Sequence, residues 1–201
     1  MARRPSTGKK LSKSLLKLKK AVWKYREKLL EGTVAAIDPS CISGKGGSKP
    51  AYALFKKGKF VEQGILDVDY HPLLAIRLQG IAACVREYLD TKVDLLVIED
   101  TPYVPIRTKA QAAKTGKTYM NAKTIASLKQ AIGAIKGALT YGKPVIDVNP
   151  LCWYAIAKQQ GWAITKEDSD DARLIGMTVM QVLAECMAGA PAVSRRKKKD
   201  E

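Results

Sequence analysis

The chain has 201 residues, enough for one domain of ordinary size with a buried core, and its 46% hydrophobic content argues against global disorder. Its 35 Lys and Arg outnumber its 19 Asp and Glu, which gives a formal net charge of +16 at pH 7. The single histidine, His71, excludes a His-rich metal site and any Ser-His-Asp or Cys-His enzyme that does not use it. The four cysteines form no CxxC pair, so zinc is not expected and the isolated cysteines indicate a reducing compartment.

The first half of the chain predicts a basic helix, three strands and a second helix. Apolar residues spaced three and four apart in LSKSLLKLKKAVWKYREKLLEG predict an amphipathic helix that ends at Gly32. TVAAID then predicts a buried strand that stops at Asp38, because the Pro that follows cannot continue a central strand. After a glycine-rich loop, AYALFKKGKFVEQGIL predicts a hairpin around KKGK. His71 and Pro72 open a predicted helix over PLLAIRLQGIAACVREYLD.

The second half alternates strands and helices. VDLLVIED predicts a buried strand ending in acids, and after a long basic loop NAKTIASLKQAIGAIKGALTYG predicts a helix closed by Gly142. KPVIDV predicts another buried strand, PLCWYAIAKQQG a short helix with Pro at its start, and DDARLIGMTVMQVLAECMAG the last helix. This order predicts an α/β fold in which a mixed sheet combines a hairpin with parallel strands, with an extra helix in front.

Basic residues are concentrated in three runs. Residues 1–20 hold eight Lys or Arg and no acid, and the tail SRRKKKDE adds five more. The run at 106–123 also lacks acids and contains Arg107, Lys109, Lys114, Lys117 and Lys123. A solvated, solubilising surface is the alternative for any one run. Three separate runs favour a nucleic-acid partner, because phosphate backbones attract such surfaces through counterion release.

Two of the predicted buried strands finish on acids. VAAIDP ends with Asp38, and LLVIED ends with Glu99 followed by Asp100. Sites in open α/β sheets lie outside the carboxyl ends of the strands, where these residues are expected. For either residue alone, an acid that caps the next turn is the competing interpretation.

A cluster of acids also precedes the last helix: in KEDSDDARLIG, the acids Glu167, Asp168, Asp170 and Asp171 fall within five residues. Asp168 and Asp171 would share a helical face with Cβ atoms about 5–6 Å apart. Asp168 or Asp170 as an N-cap would explain one or two of these acids, but four repel one another unless a cation lies between them. Carboxylates suit Mg²⁺ or Mn²⁺, so the strand-end acids and this cluster together predict a two-metal site for phosphoryl transfer on nucleic acid.

The chain resembles the RuvC-like Holliday-junction resolvases, which have the RNase H fold. The resemblance rests on Asp38 in IDP, Glu99 in IE, and Asp168 and Asp171 three apart before ARLIG. It also rests on NAKTIASLKQAIG, in which the residues at the family's positions are Asn121, Thr124, Leu128, Gln130 and Gly133. The similarity covers about residues 33–186.

The resemblance implies an RNase H-like mixed five-stranded sheet flanked by helices, and a homodimer that binds a four-way DNA junction. It implies an Mg²⁺-dependent endodeoxyribonuclease that makes paired symmetric nicks, with two metal ions per site and Mn²⁺ as a substitute. The expected catalytic and metal-binding residues are Asp38, Glu99, Asp168 and Asp171. The loop after Glu99 is expected to meet DNA near the crossover, with Tyr103 as a stacking wedge or, alternatively, as a loop or core tyrosine.

The chain departs from the family in three ways. A basic, helical segment of about thirty residues precedes the first strand, and Glu99 is followed by Asp100 where the family has Gln, so Asp100 and Asp170 are candidates for an alternative ligand or for supporting contacts. The interval before the acidic helix is shorter, which leaves Lys158 and Lys166 as candidate phosphate contacts. Such compact variants look like those of phages or other viruses.

The expected domain organisation is a basic extension at 1–32, a nuclease domain at 33–190 and a basic tail at 191–201. No stretch reaches the eighteen or so apolar residues of a membrane span, and there is no secretory signal. An intracellular protein is expected, in the cytoplasm of a bacterial host or at the nucleoid. The basic, acid-poor N-terminus also fits a mitochondrial presequence, with the mitochondrial matrix as the alternative location, but a structural or DNA-contacting helix is preferred.

Three interpretations remain open at this stage. The protein is a junction resolvase, another RNase H-fold nuclease acting on hybrids, flaps or branched DNA, or a non-catalytic nucleic-acid-binding protein whose acids cap helices. The last predicts that Asp38, Glu99 and Asp171 lie apart in space. Substrate preference separates the first two.

Overall fold

The computed structural model describes residues 7–42, 44–100, 122–139, 142–165 and 167–189, with side chains from residue 13 onwards. The helices are α1 (Thr7–Lys24), α2 (Arg26–Glu31), α3 (Leu74–Val85), α4 (Ala122–Ala138), α5 (Pro150–Gln159) and α6 (Asp168–Ala188). The strands are β1 (Thr33–Asp38), β2 (Ala51–Lys56), β3 (Lys59–Ile65), β4 (Leu95–Glu99) and β5 (Val145–Val148). A π-helical turn, Arg86–Asp90, continues α3.

The five strands form one mixed sheet in the order β3-β2-β1-β4-β5. β2 pairs antiparallel with both β1 and β3, which confirms the predicted hairpin. β4 pairs parallel with β1 and with β5, so these three strands all point their carboxyl ends to one edge. The predicted α/β class and mixed five-stranded sheet flanked by helices are confirmed.

Each central strand is buried on both sides, and alternate residues supply two separate cores. Val34 and Ala36 of β1 face a core that also contains residues of α1, α5 and α6. Ala35 and Ile37 face the opposite core, which contains residues of α3 and α4. This alternation follows from the period of two in a strand and explains why the four residues between Thr33 and Asp38 are all apolar.

The N-terminal helix differs from the single helix predicted up to Gly32. It begins at Thr7, and a break at Tyr25 separates α1 from the short α2. Leu18 and Val22 of α1 are buried in the first core, and Lys19 forms a 3.1 Å ion pair with Glu185 of α6. The basic helix is therefore packed against the rest of the fold through its apolar face.

Two other boundaries shift from the predicted ones. The helix expected from Pro72 begins at Leu74, and the helix expected to run to Gly142 ends at Ala138. Gly142 lies four residues later with φ of +94°, a left-handed conformation that favours glycine. No helix in the described part of the chain is long and apolar enough to cross a membrane.

Candidate active site

Asp38 and Glu99 lie next to each other at the carboxyl edge of the sheet. In the parallel pairing of β1 with β4, Ile37 is opposite Ile98, so each acid follows a directly paired residue. The four residues before each acid are buried, and each acid is itself partly exposed. The two carboxylates are thus carried to the same edge by two directly paired, buried strands.

Helix α6 brings two more acids to this edge. It begins at Asp168, so Asp168 and Asp171 lie one turn apart in its first turns. The helix approaches the sheet closely at Gly176, where a Cβ would lie 2.6 Å from Phe55 Cζ and 3.0 Å from Ala36 Cβ. This approach, five residues after Asp171, fixes the height at which the acidic turn meets β1. We call Asp38, Glu99, Asp168 and Asp171 the carboxylate centre.

The acids of the carboxylate centre affect one another's pKa values. Burial, the largest cause, together with the carboxylates of Glu99, Asp171 and Asp168, raises the pKa of Asp38 to about 8. Burial and the neighbouring Asp168 and Asp170 raise the pKa of Asp171 to about 6. No Lys or Arg in the described part of the chain forms an ion pair with these four acids. Among the described residues, therefore, no basic side chain pairs with their charges.

Trp153 orients the Glu99 carboxylate through a hydrogen bond. Its indole Nε1–H donates a 2.5 Å hydrogen bond to Glu99 Oε2, and the Trp153 side chain is 2% exposed. Burial raises the pKa of Glu99, this hydrogen bond lowers it, and Asp171 and Asp100 raise it. Asn149 caps α5 by accepting from the backbone N–H of Leu151, which sets the helix that carries Trp153.

The two acids proposed as alternative ligands both have partners of their own. Asp100 pairs with Lys129 of α4. Asp170 accepts hydrogen bonds from Gln63 Nε2 at 3.1 Å and Thr165 Oγ1 at 2.8 Å. It also pairs with Arg173, and the Gln63 and Thr165 bonds are the main reason its pKa is lowered. Asp170 therefore ties the start of α6 to strand β3.

The capping interpretation of the acidic cluster is wrong for the residues it named. The N-cap of α6 is Glu167, whose side chain makes no capping hydrogen bond, and Asp168 and Asp170 both lie inside the helix. The backbone N–H groups of Asp170 and Asp171 bond instead to the carbonyl of Glu167. Favourable interaction with the helix dipole remains available to these acids, but none of them caps the helix with its side chain.

The donor set fits a hard divalent cation by its chemistry. All four groups of the carboxylate centre are carboxylates, and Asp171 Oδ1 is buried without a hydrogen-bond partner. Such an atom is costly to bury and is commonly explained by an ion or water that completes it. As the side chains are placed, however, no three Asp, Glu, His or Cys of the described residues converge closely enough to enclose a metal ion.

Most predicted DNA contacts lie outside the described residues: Tyr103, Arg107, Lys109, Lys114, Lys117 and Lys166, as well as the tail at 191–201. Asn121 of the helix motif also lies outside them. Lys123 is exposed at the start of α4, and Lys158 is exposed near the end of α5. These two lysines are accessible to a phosphate, and their contact with nucleic acid stays a prediction.

Sequence reasoning did not identify Trp153 or Gln63 as parts of the site. Trp153 was one apolar residue of a short helix, and only the general need of a buried indole N–H for a partner could have singled it out. Gln63 lies on the hairpin strand β3, 107 residues before its partner Asp170. Pairings at such separation depend on the sheet order, which the sequence does not state.

Comparison of the sequence with protein-family models and with curated proteins found no match. The function of this chain must therefore be inferred from its own residues. Their arrangement places four carboxylates at one sheet edge, without an ion-pair partner among the described residues, in a chain of net charge +16. That combination suits the binding of divalent cations next to a polyanion.

Proposed function

We propose that this protein is a divalent-metal-dependent endodeoxyribonuclease that hydrolyses phosphodiesters in branched DNA. The observation that carries the proposal is the carboxylate centre, in which Asp38 is buried among three other acids with no basic partner among the described residues. A group of carboxylates that raises its own pKa values is unstable as a purely structural feature. It becomes favourable when divalent cations occupy it.

The chain's own residues have three tasks in this proposal. Asp38, Glu99, Asp168 and Asp171 would hold Mg²⁺ or Mn²⁺, and Trp153 keeps the Glu99 carboxylate oriented through its 2.5 Å hydrogen bond. Bound in pairs, such ions activate water and stabilise the leaving oxygen of a phosphodiester. Basic residues around the edge orient the DNA strand and lower the energetic cost of bringing a phosphate to four acids.

The four-way junction and the homodimer enter the proposal through the resemblance to RuvC-like resolvases. The mixed five-stranded sheet flanked by helices supports the RNase H-like fold that the resemblance implies. The proximity of Asp38, Glu99, Asp168 and Asp171 supports the matching of these residues to the family's acids. The same proximity counts against a binding protein whose acids lie apart as turn and helix caps.

The experiment is cleavage of a labelled four-way junction with and without Mg²⁺, beside linear duplex and RNA–DNA hybrid. Wild type is compared with Asp171→Asn, which keeps the shape of the side chain and removes its charge. Glu185→Gln is the matched control, because Glu185 is an exposed acid near the other end of the same helix. Paired nicks confined to the junction, lost only in Asp171→Asn while junction binding persists, are the expected result.

Other outcomes of these experiments would change the substrate, refute the enzyme or refute the dimer. Cutting of the hybrid or of linear duplex with the same dependence on Asp171 would keep the nuclease and replace the substrate. Tight binding without cleavage in either Mg²⁺ or Mn²⁺ would refute the enzyme. Sedimentation of the protein at micromolar concentration tests the dimer separately, and a monomer there would contradict the resolvase.

A further inference from the structure

A second polar site lies beside the carboxylate centre, on the side of the sheet covered by α3 and α4. It is a cleft of about 460 Å³. Its walls come from the first turns of α3 and α4, from the segment before α3, and from the loop after β1. The residues that line it include Cys41, Tyr70, Arg77, Lys123 and Ser127.

Arg77 is the unusual residue of this cleft. Its side chain is 9% exposed, so the guanidinium is almost fully withdrawn from water. It donates a 2.7 Å hydrogen bond from Nη1 to the backbone carbonyl of His71 and lies over the ring of Tyr70. Its Nε–H is buried with no hydrogen-bond partner. No carboxylate of the described residues pairs with it, which leaves a buried positive charge uncompensated.

Other features of the cleft add to its positive potential. The amino-terminal ends of α3 and α4 carry partial positive charge, and both helices are long enough for this to matter, with 12 and 17 residues. Lys123 is exposed at the rim in the first turn of α4. A buried arginine without a carboxylate partner among the described residues, a lysine and two helix ends together supply positive charge that suits a phosphate group.

The cleft is close to the carboxylate centre. Its wall includes Cys41, which is three residues after Asp38, so the two Cα atoms are at most about 11 Å apart. One strand of DNA advances about 3.4 Å per nucleotide along the helix axis. A phosphate about three nucleotides from one at Asp38 is therefore near enough to reach the cleft.

We propose that this cleft binds one non-scissile phosphate of the DNA strand that enters the carboxylate centre, with Arg77 and Lys123 as the contacting residues. This inference rests on the proposed function for the identity of its ligand. The site sets the register of the strand, because a phosphate held at a fixed distance from Asp38 determines which bond lies over the acids. Binding there also provides the missing partner for the Arg77 guanidinium.

The test measures DNA binding by fluorescence anisotropy in EDTA, so that cleavage plays no part. Arg77→Met removes the charge and keeps much of the side-chain length, and Lys123→Glu reverses an exposed charge without risk to the core. Lys92→Glu is the matched control, because Lys92 is exposed near the start of β4, at the opposite edge of the sheet. We expect about tenfold weaker binding for each cleft variant and little change for the control.

A scan with methylphosphonates, which remove the charge of one phosphate at a time, identifies the bound phosphate. At one position, within about three nucleotides of the cleaved bond, wild type should lose about tenfold in affinity, and Arg77→Met or Lys123→Glu should lose nothing further. If methylphosphonate substitution weakened binding by the variants as much as binding by wild type at every position, the inference would be overturned. If Arg77→Met does not fold, the same comparison with Lys123→Glu decides the result.

Inorganic phosphate is titrated separately by calorimetry. If it binds and Arg77→Met abolishes that binding while DNA affinity stays unchanged, the cleft takes a free anion and the inference is wrong. The proposed function fails independently, through cleavage that does not depend on Asp171. Coupling to one phosphate without cleavage would keep the binding site and refute the nuclease.

Discussion

Acids at the edges of this sheet fall into two groups that differ in their partners. Asp100, Asp147 and Asp90 are each held by a lysine, namely Lys129, Lys136 and Lys143. The four acids of the carboxylate centre have no Lys or Arg partner in the described part of the chain. The protein does not lack lysines, since Lys and Arg number 35. The difference teaches that, within the described part of the chain, lysines pair with acids outside the carboxylate centre and none pairs with an acid of the centre.

The largest expected effect is the loss of cleavage when an acid of the carboxylate centre is replaced, compared with replacement of an acid that is paired with a lysine. Asp38→Asn should reduce junction cleavage by about 10³-fold, because an ion ligand contributes several kcal/mol to stabilising the reacting phosphate and each 1.4 kcal/mol is a factor of ten. Asp147→Asn removes an acid paired with Lys136 at 2.6 Å and should change cleavage less than about threefold. Single-turnover cleavage at saturating protein measures both. Equal losses would erase the distinction between the two groups.

The next effect is on the free energy of unfolding, which the carboxylate centre should lower as the pH rises. The pKa of Asp38 rises from 3.8 to about 8 on folding, so the folded state holds this proton more tightly than the unfolded chain. The stability gained from the protonated carboxyl is complete below about pH 4 and is lost as the pH rises to about 8. Asp171, with a pKa of about 6, adds a loss of the same sign between about pH 4 and 6. Without divalent ions, we expect the free energy of unfolding to fall by several kcal/mol from pH 5 to 8, because each unit of pKa shift corresponds to about 1.4 kcal/mol.

Urea unfolding in EDTA at the two pH values measures this change. Asp38→Asn should be more stable than wild type at pH 8 and should lose most of the pH dependence, although it is inactive. Adding Mg²⁺ should raise the stability of wild type at pH 8 and leave Asp38→Asn less affected, because an ion that binds the folded state stabilises it. A wild type whose stability rises with pH across this window would contradict the burial of uncompensated acids.

The third effect is on the thermal stability of the packing between α6 and the sheet. Gly176→Ala adds a Cβ where Phe55 Cζ would lie 2.6 Å away, so α6 must move from the sheet, at a cost of about 1–3 kcal/mol. Gly133→Ala on α4 is the control, because nothing lies within 4 Å of its Cβ and alanine there should stabilise the helix by up to about 1 kcal/mol. Thermal unfolding measures both. Destabilisation by Gly133→Ala would show that the outer face of α4 is covered.

Much of this arrangement follows from local sequence patterns. The continuous apolar runs in TVAAID and LLVIE predict two buried strands, and Pro39 predicts where the first one ends, so Asp38 and Glu99 could be placed at a sheet edge from sequence alone. The start of α6 was less accessible, because Glu167, Asp168 and Asp170 are equally plausible first residues by composition. The hydrogen bond from Trp153 to Glu99 joins residues 54 apart. It depends on how α5 packs under β4, which no local pattern encodes.

The smallest expected effect concerns Trp153, a neutral hydrogen-bond donor to the carboxylate centre. Trp153→Phe keeps an aromatic ring in the core and removes the hydrogen bond to Glu99, so the carboxylate loses its fixed orientation and part of the influence that lowers its pKa. We expect the Mg²⁺ concentration for half-maximal cleavage to rise about tenfold, with the rate at saturating Mg²⁺ nearly restored, since partners of metal ligands typically change affinity by about 10–100-fold. A purely structural role for Trp153 would instead lower the rate at every Mg²⁺ concentration. Trp162→Phe, which changes a partly buried indole packed against the same core, is the control and should leave the Mg²⁺ dependence unchanged.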